Sequence, residues 1–216
     1  MREAMANPFV TSVRGALEDV RALRTWLVSS ISAVFWLRGC DHVGANSKTY
    51  GRPHIENRGR IVIGNRVRLN SRWAPVELAT GPEGVIEIGD GVFLNYGTLV
   101  SARSRVCIGA NAMVGNYCII ADTEIPGIGE PPGAPELESR AVEIGEGAWL
   151  AARVTVLPGA RIGARAVIAA GSVVSGEIPA GVVAGGIPVR VLRASRPQGG
   201  IASEIAATTG LERQRK

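Results

Sequence analysis

From Ile144 to Val174 an aliphatic residue returns at every sixth position: Ile144, Leu150, Val156, Ile162, Ile168 and Val174. A period of six is neither the 3.6 of a helix nor the 2 of a simple strand. It is an internal repeat, and a repeat of this kind dictates architecture before any single residue does. Each hexad is long enough for one short strand and one tight turn. Its leading aliphatic points inward, and the small Gly, Ala or Asn residues around it make the bend. No hexad buries its apolar side alone, so stability comes from stacking coil on coil around one shared core. Three hexads close one coil of a triangular prism.

The pattern resembles the left-handed parallel β-helix of the hexapeptide-repeat acyltransferases, near the maltose/galactoside and polysaccharide O-acetyltransferases. The residues that carry the resemblance are IGEGAWLAARVTVLPGARIG from Ile144 and IAAGSVVSGEIPAGVVAGGIPVRVLR from Ile168. It covers roughly residues 60 to 193. The all-β fold and the left-handed coiling are implied by this resemblance; general crossover rules favour right-handed connections. A homotrimer and the use of acetyl-CoA or another acyl-CoA are implied in the same way.

Composition fits a narrow aliphatic stack. Of 216 residues 46% are hydrophobic but only 5% aromatic, and the 28 glycines supply turns. A net charge of +5 describes a mildly basic protein or one that attracts an anionic ligand or membrane surface. The three cysteines, Cys40, Cys107 and Cys118, form no close pair, which predicts a reducing, cytoplasmic setting. The start, MREAMANPFV, does not read as a signal peptide.

Along the chain, residues 1–40 read as an N-terminal helical extension. Leu17, Val20, Leu23 and Leu27 share a helical face, and Trp26–Leu37 is uncharged but too short to span a bilayer, which takes about 20 residues. Two readings stay open for this helix: packing on the prism, or lying in a membrane interface on the cytoplasmic side. Residues 41–193 are read as the β-helix, with 39–60 a linker and irregular first coils. Recognisable repeats begin at Ile61, and a loop or distorted coil occupies 71–84. The series Ile88, Leu94, Val100, Ile108, Val114, Ile120 slips by two residues at SARSRV, as a widened turn would. Residues 125–140 hold four prolines and three glycines and leave the prism as an excursion loop. Residues 194–216 are a tail.

Acyl transfer needs a nucleophile freed of its proton and a donor for the oxyanion. In the resembled family the base is a His in a segment like D-x-D-x-H-P, just before the excursion loop. Here the segment reads IIADTEIPGI. Ungapped comparison puts Ile125 at the His position, and a shift of one puts Pro126 there. Neither accepts a proton. The chain has only His42 and His54, both upstream of the main repeats. Three explanations follow. Asp122 or Glu124 serves as base, or His54 does if its coil lies alongside. Alternatively the acceptor is an amine, such as an amino-sugar, that attacks without prior deprotonation. In the third, the fold persists in a binding or scaffold trimer without acetyl transfer.

The resemblance also places Asn95 opposite the acceptor and thioester, and the coenzyme against Ala152, Ala170, Ser175, Gly176, Arg190 and Arg193. Arginine pairs with phosphate through two parallel hydrogen bonds. Alternatives are turn geometry for the alanines, solvated surface charge for the arginines and an Asn ladder for Asn95. No metal set is expected: two histidines cannot supply a three-His site. Nor does aromatic–basic interleaving point to nucleic acid.

Overall fold

The computed structural model describes residues 33, 35–123 and 138–194. They form an all-β parallel β-solenoid, built of short strands that visit three faces in turn. Face one holds seven strands, from His42–Val43 to Glu177–Ile178. Face two holds eight, from Lys48–Gly51 to Arg190–Ala194. Face three holds six, from His54–Asn57 to Val173–Val174. All neighbours are parallel except the last pair on face two, where Arg190–Ala194 folds back antiparallel on Val182–Gly185 and closes that end.

The hexad positions become vertical ladders. Ile63, Ile88, Ile108, Ile144, Ile162 and Ile178 stack in register inside face one. Leu69, Leu94, Val114, Leu150, Ile168 and Ala184 do so inside face two. Ile55, Leu78, Val100, Ile120, Val156 and Val174 line face three. All of these but the partly buried Ile55 are buried, and they form one continuous cluster. At about 1.5–3 kcal/mol for each fully buried aliphatic side chain, the ladders supply the main driving force.

The corners explain the glycines. Where face one turns into face two, the coils approach so closely that a Cβ on Gly109 would lie 2.6 Å from the backbone nitrogen of Glu146. On Gly145 it would lie 2.4 Å from that of Ala164. Two residues further on, the same turn adopts positive φ, taken by Gly91 and Gly147 but also by Asn46, Arg66, Asn111 and Arg165. Asn and Gly tolerate that conformation well; the arginines carry its cost.

Two expectations need revision. Residues 39–60 are not a linker: His42–Val43 already pairs with Val62–Ile63, and Lys48–Gly51 with Arg68–Ser71. Within 71–84, Glu77–Thr80 is a regular strand in register with Leu99–Ala102, and the turns on both sides of it are enlarged. The helical extension over 1–40 lies almost wholly outside the described residues. Its last turn is described, and there Ala33 and Leu37 join the core, Leu37 at 1% exposure. The excursion is described only at its roots: Thr123 on one side and residues 138–140 on the other.

Candidate functional site

Asn95 sits just past Phe93–Leu94, where face two turns into face three. Its Oδ1 accepts two hydrogen bonds, from the Asn70 side-chain amide (2.8 Å) and from the Tyr96 backbone N–H (2.9 Å). These fix the carboxamide and leave its NH2 group without a partner among the described residues. An amide held by its oxygen presents its N–H donors to whatever docks on the edge. Asn70 lies directly below in the same column, and its Oδ1 is buried without a partner among the described residues.

The same edge carries aromatic side chains. Trp73 and Tyr96 meet edge to face at 5.0 Å, and Tyr96 and Tyr117 at 5.5 Å. Trp73 is 78% exposed. In the later coils this edge passes through Ala151–Ala152 and Ala169–Ala170, joined by the Gly171 N–H to Ala152 carbonyl bond of 2.9 Å. Asn95, Ala152 and Ala170 therefore share one edge. Arg190 and Arg193 lie exposed on the closing antiparallel strand of the adjoining face. Ser175 and Gly176 do not join them. They stand at the next corner, between faces three and one.

Asp122 also lies at that other corner, a face away from Asn95. It is 1% exposed. Its carboxylate accepts the backbone N–H groups of Arg103 (2.8 Å), Ser104 (2.7 Å) and Arg105 (2.7 Å), and the Thr123 hydroxyl (3.1 Å). It therefore ties down the widened SARSRV turn beneath the root of the excursion loop. Its backbone carbonyl takes the N–H of Arg140, where the chain re-enters the prism. This corrects the reading of Asp122 as a free base, because its carboxylate oxygens are already engaged by those four donors. Glu124 lies outside the described residues. His54 is exposed on the first strand of face three, in register with Glu77.

Two concavities open on other parts of the prism surface. The larger, about 790 Å³, runs along face one. It is lined by Glu87, Glu143 and Glu177 against Arg105 and Arg161, and Arg105 is already paired with Glu87 at 2.7 Å. That balance is poor for a phosphorylated ligand. The smaller, about 560 Å³, opens on the first coils of face two between Asn46, Lys48, Tyr50, Arg66, Arg68 and Gly91. No carboxylate lines it. Sequence reasoning missed this cluster. Its signal was the run of cations in NRVRLNSRW, but the side that they share becomes visible only once the coils are in register. Among the described residues no group of three or more His, Cys, Asp or Glu could hold a metal ion.

Comparison with known proteins places this geometry. The sequence profile described as "Bacterial transferase hexapeptide (six repeats)" matches residues 141–176. The chain is 32% identical over 151 residues to WbbJ, the Escherichia coli K12 protein named for lipopolysaccharide biosynthesis O-acetyl transfer. That match covers 65% of this chain and 74% of WbbJ. It is 34% identical over 108 residues to the E. coli galactoside O-acetyltransferase, covering 50% of this chain and 53% of that one. Against that second relative, then, the chain spans about half the length. Among solved structures, AntD, an N-acyltransferase from Bacillus cereus in complex with dTDP-4-amino-4,6-dideoxyglucose and coenzyme A, superposes with a TM-score of 0.62. That match has 20% identity and covers 79% of this chain and 92% of AntD, which establishes the common fold.

Proposed function

This chain belongs to the hexapeptide-repeat transferases, and on that premise we propose that it moves an acetyl or other acyl group from coenzyme A to a sugar or amino-sugar. The observation that carries the reading is the Asn95 amide. It is clamped through its oxygen, its NH2 group is open, and it stands on the edge that Ala152 and Ala170 continue. The small side chains on that edge suit a pantetheine arm. A Cβ built on Gly171 meets nothing within 4 Å, so the backbone there is open to a ligand. Arg190 and Arg193 are the cations for the coenzyme phosphates.

The acyl thioester supplies an activated carbonyl. The acceptor atom attacks the carbonyl carbon and the carbon–sulfur bond breaks. Sulfur leaves as the thiolate, and the proton lost by the acceptor passes to it or to solvent. The Asn95 NH2 group donates to the carbonyl oxygen as charge gathers there, a contribution that removal of one such donor puts at about 10²–10³ in kcat. A second reading, an amine acceptor, is favoured by Asp122: with its carboxylate engaged by four donors, it is not free to deprotonate a hydroxyl.

The same family reading carries left-handed coiling and a homotrimer with the acyl donor between neighbouring prisms. The sequence carries a helical N-terminal extension, packed on the prism or lying on the inner face of the membrane, and through its scattered cysteines a cytoplasmic location. Sedimentation at three times 22.6 kDa tests the trimer, and liposome flotation tests the contact.

Calorimetric titration with acetyl-CoA, followed by a screen of amino-sugar and sugar acceptors for thiol release, tests the central claim. Micromolar binding, about −8 kcal/mol, with turnover on a sugar supports it. No binding sinks it in favour of a scaffold trimer.

A further inference from the structure

The first coils of face two hold a cluster of cations that the acyl-transfer reading leaves unused. Arg66, Arg68 and Arg72 stand on outward positions of one coil, with Asn70 between the last two and Lys48 in register beside Arg68 one coil below. Arg66 and Arg68 line the 560 Å³ concavity, together with Lys48 and Tyr50. The Arg72 guanidinium lies 5.2 Å over the Tyr50 ring, and the Arg68 guanidinium lies 5.2 Å over Phe93. A guanidinium held over an aromatic ring by cation–π attraction is steadied there, and a steadied guanidinium can grip a phosphate with two parallel hydrogen bonds.

The local carboxylates do not neutralise the cluster. Among the described residues none of these three arginines is within salt-bridge distance of an acid; the ion pairs there are Arg58–Glu56 and Arg105–Glu87. Asp90 stands on the corresponding turn of the next coil, where hydrogen bonds from Asn65 and then the charge of Arg66 lower its pKa. Its carboxylate is committed to the Asn65 backbone and side chain.

Position relates the cluster to the reacting edge. Arg68 is two residues before Asn70 on one strand, and Asn70 holds Asn95 on the next. With strands ~4.8 Å apart and ~3.3 Å per residue, the backbones of Arg68 and Asn95 are roughly 8 Å apart. Beyond Asn95, on the side away from Arg66 and Arg68 and next to Arg72, lie the exposed Trp73 and its partner Tyr96.

We propose that this cavity binds a phosphate or pyrophosphate ester carried by the acyl acceptor. Arg66, Arg68 and Arg72 are the binding cations, and the Trp73–Tyr96 edge is the stacking surface for the rest of the acceptor. The substrate class is thus a sugar bearing a phosphate or diphosphate rather than a free sugar. The inference rests on the acyl-transfer reading for its link to Asn95, but the phosphate site itself does not.

The full chain is titrated with inorganic pyrophosphate, with UDP-glucose and with acetyl-CoA, and so is the triple variant R66Q/R68Q/R72Q. These side chains are exposed, and an unchanged melting temperature verifies that the variant folds. The expected result is saturable pyrophosphate binding that the triple variant weakens by roughly tenfold or more, the loss of at least one charged hydrogen bond, with acetyl-CoA affinity unmoved. Trp73→Ala is expected to weaken UDP-glucose and leave pyrophosphate unchanged; UDP-glucose binding unaltered by that substitution overturns the stacking surface. Equal pyrophosphate binding by wild type and triple variant overturns the site. A parallel fall in acetyl-CoA affinity overturns it too, because the phosphates would then be the coenzyme's. So does wild-type protein that ignores pyrophosphate but sediments with phosphatidylglycerol vesicles through these arginines, since the anion would then be a membrane surface. Pyrophosphate binding without acetyl-CoA binding upholds the phosphate site and overturns the transferase reading.

Discussion

Asn95 and Asp122 show how two polar side chains in one solenoid take opposite roles. Asn95 spends its oxygen on Asn70 and Tyr96 and keeps its NH2 group open on an edge. Asn95→Ala is expected to cut kcat by about 10²–10³ with acetyl-CoA affinity held, read by steady-state kinetics beside calorimetry. Asp122 instead satisfies three backbone N–H groups inside a corner. Replacing it with Asn turns one acceptor into a donor facing donors, which costs about 2–4 kcal/mol in a denaturant melt, while the folded fraction keeps its kcat within a few fold. A loss of two orders of magnitude in kcat with an unmoved melt would restore Asp122 as the base.

At the level of the coil, the close approach at the corner between faces one and two is the least forgiving feature. Gly109 and Gly145 sit where a Cβ meets the next coil's backbone rather than a movable side chain. Gly109→Ala therefore forces the coils apart and is expected to destabilise by about 1–3 kcal/mol, measured by urea unfolding. The same substitution at Gly171, where nothing lies within 4 Å, strains only the local φ of +69° and is expected to cost less. Because the core is one continuous stack, damage to one coil propagates to its neighbours through their shared interfaces.

For the whole molecule, acid is the predicted weakness. Three carboxylates are held below their usual range by hydrogen bonds. The Cys107 thiol and then the Arg105 side chain act on Glu87, the Ile61 N–H and the Asn57 amide on Asp41, and Asn65 on Asp90. A carboxylate whose folded pKa is depressed stabilises the fold above its unfolded value, and that contribution is lost as pH falls through the folded one. The melting temperature should therefore stay level from neutral pH down to about 5 and decline below about 4, where unfolded carboxylates take up protons. A flat profile through that window would contradict the hydrogen-bonded network. The thiols follow the opposite logic: burial pushes Cys40 up to about 12 and Cys107 up to about 11, so neither is a reactive thiolate at neutral pH.

The six-residue period alone determines which side chains face inward, because alternation within a short strand and a turn after it leave two inward positions per hexad, such as Ala148 and Leu150. The ladders of face one, face two and face three follow from it, and the lack of a His before the excursion loop is read from the sequence directly. What the period does not determine is which residues of different coils meet. Ile144 and Ile162 are one plain coil apart, whereas insertions lengthen the paths from Ile63 to Ile88 and from Ile108 to Ile144. The hydrogen-bond ladder between strands absorbs those insertions at the corners, so the stacking partner of a turn residue depends on tertiary register. That register put Asp122 under the widened turn and Asn70 against Asn95. It placed Ser175 a corner away from Ala152, and it brought Arg66 and Arg68 round one cavity with Tyr50, over which Arg72 lies. Inward positions answer to burial, which is local in sequence; outward positions answer to their neighbours across coils, which only the folded stack decides.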